Sequence, residues 1–182
     1  MIITISGKPG SGKSTIAKLL AQKLNLKHYS TGDFMRKIAK DRGISLIELS
    51  EVAESDLSVD QEIDNYSENL GKTEDNFIID TRLGFHFIPN SIKIFLDAEL
   101  KVRAQRILKD KRVDEPQNLE ELEKEIQKRE QSEIQRYQEY YHINHYDKNN
   151  YDLIIDSSNS NPEEIVKGIL KFIHKNQKGI VS

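Results

Sequence analysis

The chain has 182 residues, 31% of them charged, a formal net charge of −3 and no cysteine. That length fits one domain with a core that needs no cross-links, and the missing thiols exclude a disulfide framework and a thiolate metal site. The negative balance gives no overall basic field for nucleic acid, and no apolar stretch approaches the ~20 residues that would span a bilayer. A soluble cytoplasmic protein is expected, with a first strand beginning at Ile2 and so no room ahead of it for a targeting peptide.

The first apolar run, residues 2–6, leads straight into Gly7-Lys8-Pro9-Gly10-Ser11-Gly12-Lys13-Ser14-Thr15. Gly7, Gly12, Lys13 and Ser14 match G-x-x-x-x-G-K-[ST], a loop whose glycines let main-chain N–H groups curl around phosphate oxygens. In that reading Lys13 reaches the β- and γ-phosphates of a nucleoside triphosphate and the Ser14 hydroxyl meets Mg²⁺, at the positive end of the following helix. Ile16, Leu19, Leu20, Ala21 and Leu24 recur at helical spacing just after, so the strand–loop–helix context is present. The competing reading is a glycine-rich turn that holds nothing.

A short strand at 27–30 comes next, and Ser30 to Asp33 has the pattern of a capping box, as does Ser45 to Glu48. Arg36 stands four residues after Gly32, on the first turn of a helix, where it can clamp a second phosphate with two hydrogen bonds. A capped helix with a solvated arginine, and Asp33 as the acid of its box, fits the same residues. The run 76–80 ends in Asp80, followed by Thr81 and Arg82. An aspartate closing a buried strand is costly without a partner, so Asp80 is expected near the P-loop ion, accepting from its waters, or polarising the attacking oxygen of an acceptor. Arg82 would then reach the same acceptor phosphate as Arg36. His86, between Phe85 and Phe87, reads as packing or substrate wall, because no second histidine stands at ligand spacing.

A fourth strand at 91–97 ends in Asp97. The charged stretch 109–130 then reads as a mobile loop around Asp114-Glu115-Pro116 leading into a long helix over 118–141. Leu119, Leu122 and Ile126 form an apolar stripe that Arg129 continues, and Arg136 follows seven residues on, about 10 Å along the axis. Two arginines on one face suggest a helix turned toward anions; a solvated arm of ion pairs is the other reading. Arg103, Arg106 and Arg112 flank the loop, whose closure would carry one or more over the phosphates. Tyr137, Tyr140 and Tyr141 read as core. A last strand, 151–156, is followed by Ser157, Ser158 and a helix with Asn161 as cap and Pro162 in its first turn.

Strands alternating with helical patterns predict an α/β fold, a five-stranded parallel sheet with helices on both faces. Ligands in such sheets sit beyond the carboxyl ends of the strands, where the polar residues above collect. The ordered set "MIITISGKPGSGKSTIAKLLAQKL", "HYSTGDFMRKIAKDRGISL", "IIDTRLGFHFIP", "IFLDAELKVRAQRI", "REQSEIQRYQEYYHI" and "YDLIIDSS" resembles the archaeal-type cytidylate kinases, within the nucleoside monophosphate kinase group of P-loop proteins. The resemblance implies a single kinase domain over 1–182, with a monophosphate-binding segment at about 31–72 and a helical lid at about 109–147. It implies ATP as phosphoryl donor, held with Mg²⁺ by Gly7 to Thr15, the ion by Ser14. The monophosphate falls on Ser30, Gly32, Asp33, Arg36, Asp80 and Arg82. Lys13, Asp80, Arg129 and Arg136 would act on the transferring group, and residues 157–162 would lie near the adenine. Such enzymes usually read Asp-Gly-Arg where this chain has Asp80-Thr81-Arg82, so a side chain is expected to narrow the acceptor pocket at Thr81.

The expected reaction is phosphoryl transfer from ATP to a pyrimidine nucleoside monophosphate, CMP or dCMP. The rivals are another small P-loop kinase, such as an adenylate or metabolite kinase, and a non-catalytic nucleotide-binding switch. A small-molecule monophosphate is the expected partner, with no nucleic acid, no membrane and a monomeric chain.

Overall fold

The computed structural model describes residues 1–110 and 116–178; Arg112, Asp114 and Glu115 lie outside the described residues. Five strands are present among them: β1 (Ile2–Gly7), β2 (Lys27–Ser30), β3 (Phe77–Asp80), β4 (Ile92–Asp97) and β5 (Leu153–Asp156). They pair in parallel in the order β2-β3-β1-β4-β5. The register aligns Ile5 and Ser30 with Asp80, Gly7 with Leu96 and Asp97 with Asp156, so the polar residues that end each strand meet along one rim.

Among the described residues, seven α-helices lie between the strands and an eighth follows β5: α1 (Lys13–Leu24), α2 (Thr31–Arg42), α3 (Leu46–Ser55), α4 (Leu57–Thr73), α5 (Gly84–Phe87), α6 (Leu100–Lys109), α7 (Leu119–Tyr141) and α8 (Pro162–Lys178). On one face of the sheet Ile3, Ile5, Ile78, Ile94 and Leu96 pack against α1 and α8 through Ile16, Leu20, Ile165 and Ile169. On the other, Phe77 and Ile79 pack with Ile88, Tyr66 and Leu70. Burying alternate residues on opposite faces is what the near-continuous apolar runs of β1 and β3 require.

Two helical parts carry small cores of their own. Ile38, Leu49, Ala53 and Val59 hold α2, α3 and α4 together, and Ala104, Ile107, Leu122 and Ile126 join α6 to α7. The box at Ser45 and Glu48 is complete, with both reciprocal bonds. At Ser30 only half forms: its hydroxyl accepts from the Asp33 N–H at 3.3 Å, while the Asp33 carboxylate turns to Arg36. Asn161 caps α8 by accepting from the Glu164 N–H, and its own N–H donates in return to the Glu164 carboxylate.

The stripe of α7 differs from the sequence expectation. Its buried residues are Leu122, Ile126, Glu133 and Tyr137, so a carboxylate, not Arg129, continues the buried row. No helix among the described residues is long and apolar enough to cross a membrane.

Candidate active site

Main-chain geometry sets the first wall of the site. Gly7 has φ +146°, and a Cβ there would lie 2.1 Å from the Leu96 carbonyl oxygen; Gly10 has φ +78°, with the Arg103 carbonyl oxygen 2.6 Å from its would-be Cβ. Only glycine combines those conformations with so close a backbone approach. The loop opens at the N-terminus of α1, where Lys13 is buried and Ser14 and Thr15 are exposed. Lys13 Nζ donates to the Lys8 carbonyl at 2.9 Å. Burial, with Arg82 second, pushes the Lys13 pKa well below its ordinary value, against the pull of Asp80 and Glu133. An incoming anion would reverse that shift by favouring the charged form.

The loop is braced from beneath. Arg103, 3% exposed, donates to the Pro9 and Ala98 carbonyls at 3.1 and 2.9 Å and pairs with Glu130 at 2.8 Å. Arg106 donates to the Ser157 hydroxyl and carbonyl, and the Ser157 hydroxyl donates to the Ser11 carbonyl at 2.8 Å. Lys8 pairs with Asp97 at 3.0 Å. Sequence reading offered Arg103 and Arg106 as groups that swing over phosphates. The structure engages Arg103 instead as a buried strut of the loop, while Arg106 links the loop to the end of β5.

Asp80 sits where the sequence expected it, beside the P-loop. Its Oδ1 accepts from Ser30 at 2.9 Å and Ser14 at 3.2 Å, and its Oδ2 lies 2.9 Å from His28 Nε2. Burial pushes this carboxyl up, but His28, Lys13 and Ser30 together hold it below the usual value. Thr81 continues the strand with an N–H bond to the Ile5 carbonyl and has no left-handed φ. Its methyl lies against Gly84, where a Cβ would come within 2.4 Å. The Thr81 methyl is thus accommodated at a neighbouring glycine. Residue 81 still lines the cleft.

The other wall is made of side chains. Three of the candidate phosphate-binding arginines, Arg36, Arg82 and Arg136, are each held by a carboxylate. Arg36 pairs with Asp33 on the exposed surface of α2. Arg82 Nε donates to Glu133 Oε2 at 2.9 Å, with Glu133 10% exposed. Arg136 donates to Asp60 at 2.9 Å and to Ser132 at 2.7 Å. Glu133 is buried, which raises its pKa, yet Arg82 and, less strongly, Arg129 keep it below its usual value. Further along the same two helices Tyr141 donates to Asp64. Burial lifts Asp64 to about 7 against the pull of Tyr141, with Asp60 adding to the rise.

Both walls face one cleft of about 490 Å³, reached by the P-loop, Asp80, Arg82, Arg129 and Arg136. Gly32 and Arg36 also border it, as do Ser157 and Pro162 at the far edge. Ser30 and Asp33 instead border a smaller groove on the outer side of β2, together with His28. His86 is exposed, edge-on to Phe87 at 4.8 Å, which is the packing reading of that residue. Of the three tyrosines read as core, only Tyr137 is buried.

Sequence reasoning missed His28, Asp60, Asp64 and Glu133. For His28 the available signal was its i, i+2 relation to Ser30 on one face of a strand. For Glu133 it was the helical spacing from Leu122 and Ile126. No group of three or more His, Asp or Glu among the described residues is arranged to hold a metal. The donor set fits a hard divalent cation delivered by phosphate oxygens, with Ser14 as a protein oxygen beside it and Asp80 placed to accept the serine hydrogen bond.

Comparison with known proteins gives a consistent family assignment. The chain is 39% identical over 170 residues to a cytidylate kinase of Methanobrevibacter smithii, covering 93% of this chain and 96% of that one. It is 38% identical over 176 residues to a cytidylate kinase of Sulfurisphaera tokodaii, covering 96% of each. Among solved structures, shikimate kinases from Bacteroides thetaiotaomicron and Aquifex aeolicus superpose with TM-scores of 0.68 and 0.61 at 17% and 20% identity. The first match covers 96% of this chain and 98% of the other, the second 98% and 99%, and both show the fold. The profile of the cytidylate kinase-like family matches residues 2–159, and the chain belongs to that family.

Proposed function

We propose that this protein transfers the γ-phosphoryl group of ATP to the 5′-phosphate oxygen of CMP or dCMP, giving ADP and the nucleoside diphosphate. The observation that carries the reading is the pairing of two anion-holding walls on one cleft: a glycine-built P-loop with Lys13, and facing it Arg82 and Arg136. A second set of arginines suits an acceptor that already bears a phosphate. The curated relatives, named as cytidylate kinases, support the base.

In this reading Gly7 to Thr15 hold the donor phosphates and Lys13 neutralises charge between the β- and γ-groups. Ser14 would offer its oxygen to Mg²⁺ while its O–H stays hydrogen-bonded to Asp80. Bound with ATP, the ion supplies charge neutralisation across the β- and γ-phosphates. Ser30, Gly32, Asp33, Arg36, Asp80 and Arg82 make up the acceptor side, with Gly32, Asp33 and Arg36 on the arm of residues 31–72 and the others at the ends of β2 and β3. Arg129 and Arg136 belong to a lid at about 109–147 and meet the transferring group on closure. The acceptor oxygen is largely ionised at neutral pH, so alignment and charge neutralisation supply the acceleration, and closure keeps water from the phosphoryl group. The reading includes a monomer working in the cytoplasm on a small nucleotide.

The test is ADP release with Mg·ATP and CMP, dCMP, UMP, AMP, GMP or no acceptor. Turnover with CMP and dCMP on the order of 10-fold or more above the others is expected. Preference for AMP would make the protein an adenylate kinase, and release indifferent to acceptor would favour a nucleotide switch.

A further inference from the structure

Asp80 accepts from three side chains, and the third has no part in the reaction outlined above. Ser30 and Ser14 both donate to Oδ1, at 2.9 and 3.2 Å. His28 lies alone against Oδ2, at 2.9 Å. His28 belongs to the four-residue edge strand β2, two residues before Ser30, so both side chains point to one face. The parallel register sets Ser30 opposite Asp80 and His28 opposite Ile78, so the imidazole reaches one pleat along to the carboxylate. Its side chain is 17% exposed and that of Asp80 5%.

A carboxylate held only through Oδ1 keeps freedom about its last torsion, because the terminal sp³–sp² rotation of aspartate is broad and roughly two-fold. A donor on Oδ2 removes that freedom. The orientation matters because of Ser14. A hydroxyl that gives a lone pair to a cation must send its proton elsewhere, and Asp80 Oδ1 is the acceptor within reach. If the carboxylate turned, Ser14 would lose the partner that aims its oxygen.

We propose that His28 is a positioning residue: by holding Oδ2 of Asp80 from the edge strand, it fixes the carboxylate that orients Ser14 toward the ion of Mg·ATP. The proposal rests on the reading of Ser14 as an oxygen beside that ion. Partners one step behind a ligating group commonly change metal affinity 10- to 100-fold when removed. His28 acts two steps behind, through Asp80, so the low end applies.

Calorimetric titration with ATP, in EDTA and in saturating Mg²⁺ and without acceptor, separates the contributions. In the parent protein Mg²⁺ should tighten ATP binding. In His28→Leu that gain should shrink by on the order of 10-fold, with metal-free ATP affinity unchanged, and His28→Gln should recover part of it. In a Ser14→Ala background the His28→Leu effect should vanish. Equal losses with and without Mg²⁺, an undiminished gain in His28→Leu, or an effect that persists without the Ser14 hydroxyl would each overturn the proposal. Absence of any Mg²⁺ gain in the parent would overturn it together with the Ser14 reading, which an undiminished gain in His28→Leu leaves intact. A second readout needs no variant: imidazole ¹⁵N spectra should show Nε2 of His28 carrying a proton, and an unprotonated Nε2 overturns the proposal.

Discussion

At the P-loop end of the cleft the ligand-facing groups are main chain, set by Gly7 and Gly10 against the backbone of β4 and α6, whereas at the opposite end they are arginines, each already held by a carboxylate. The first wall is a matter of shape: its donors are in place whatever binds, and only a change of backbone disturbs them. The second is a matter of exchange, since a phosphate bound by Arg82 or Arg136 would have to compete with Glu133 or Asp60. In the proposed reading the preformed wall would hold the common donor, and the exchangeable wall would couple acceptor binding to movement of α7 against α2–α4.

The contrast is broken most directly by adding one methyl to a glycine on each wall. Gly10→Ala meets the Arg103 carbonyl at 2.6 Å in a left-handed conformation, so the loop must move. A shift of about 1 Å in a binding frame can cost on the order of 100-fold, and that loss is expected in ATP affinity by calorimetry. Gly32→Ala meets nothing closer than the Ser30 hydroxyl at 3.6 Å, an ordinary contact. It should leave ATP affinity unchanged and alter the KM for CMP less than about 3-fold. Similar effects from the two substitutions would mean that the walls do not differ as described.

Arg82 tests exchange. In the proposed reading, removing it takes a charge-assisted contact from the acceptor phosphate, and it deprives the buried Glu133 of its 2.9 Å partner. Arg82→Ala should raise the KM for CMP on the order of 30-fold or more, with little change in the KM for ATP. Breaking a buried pair from one side costs about 3–5 kcal/mol, so Tm should fall by about 10 °C. Adding Glu133→Gln should restore most of the Tm and none of the KM. An unchanged KM for CMP in Arg82→Ala would sink the acceptor assignment.

The walls also differ in how far they could be read from the sequence. The P-loop is contiguous, and its neighbours β1 and α1 carry plain apolar periodicity, so nine consecutive residues specified it. All five strands were legible too, with small shifts at their starts. β3 begins at Phe77 because Asn76 takes a left-handed φ of +58°, and β5 begins at Leu153 because the Tyr151 N–H bonds back to Lys148. The acceptor wall was legible only in its arginines. Their partners are 51 and 76 residues away for Arg82 and Arg136, and charge pairing across such separations leaves no local pattern. Glu133 is one acid among many in α7; only its place in the buried row distinguishes it. His28 looked like any polar residue of an edge strand until β3 was set beside it.

The smallest expected effect concerns Asp64, at the end of the acceptor wall. Its burial beneath α7 lifts its pKa from an ordinary 3.8 to about 7, with Tyr141 opposing the rise and Asp60, one turn earlier on α4, adding to it. Arg136, which also faces this corner, is paired with Asp60. Between those two values the folded protein keeps a proton that the unfolded chain releases, so stability must fall as pH rises across that window, and the cost is complete above pH ~7. Asp64→Asn removes the titration while keeping an oxygen to accept from Tyr141. The variant should therefore melt above the parent at pH 8, by on the order of 5 °C, and the advantage should fade toward pH 4. Melting curves across that range decide it: an advantage that stays constant with pH would show that the carboxylate is already ionised against Tyr141, whereas an advantage confined to high pH means that burial between α4 and α7 keeps Asp64 protonated and makes its ionisation costly.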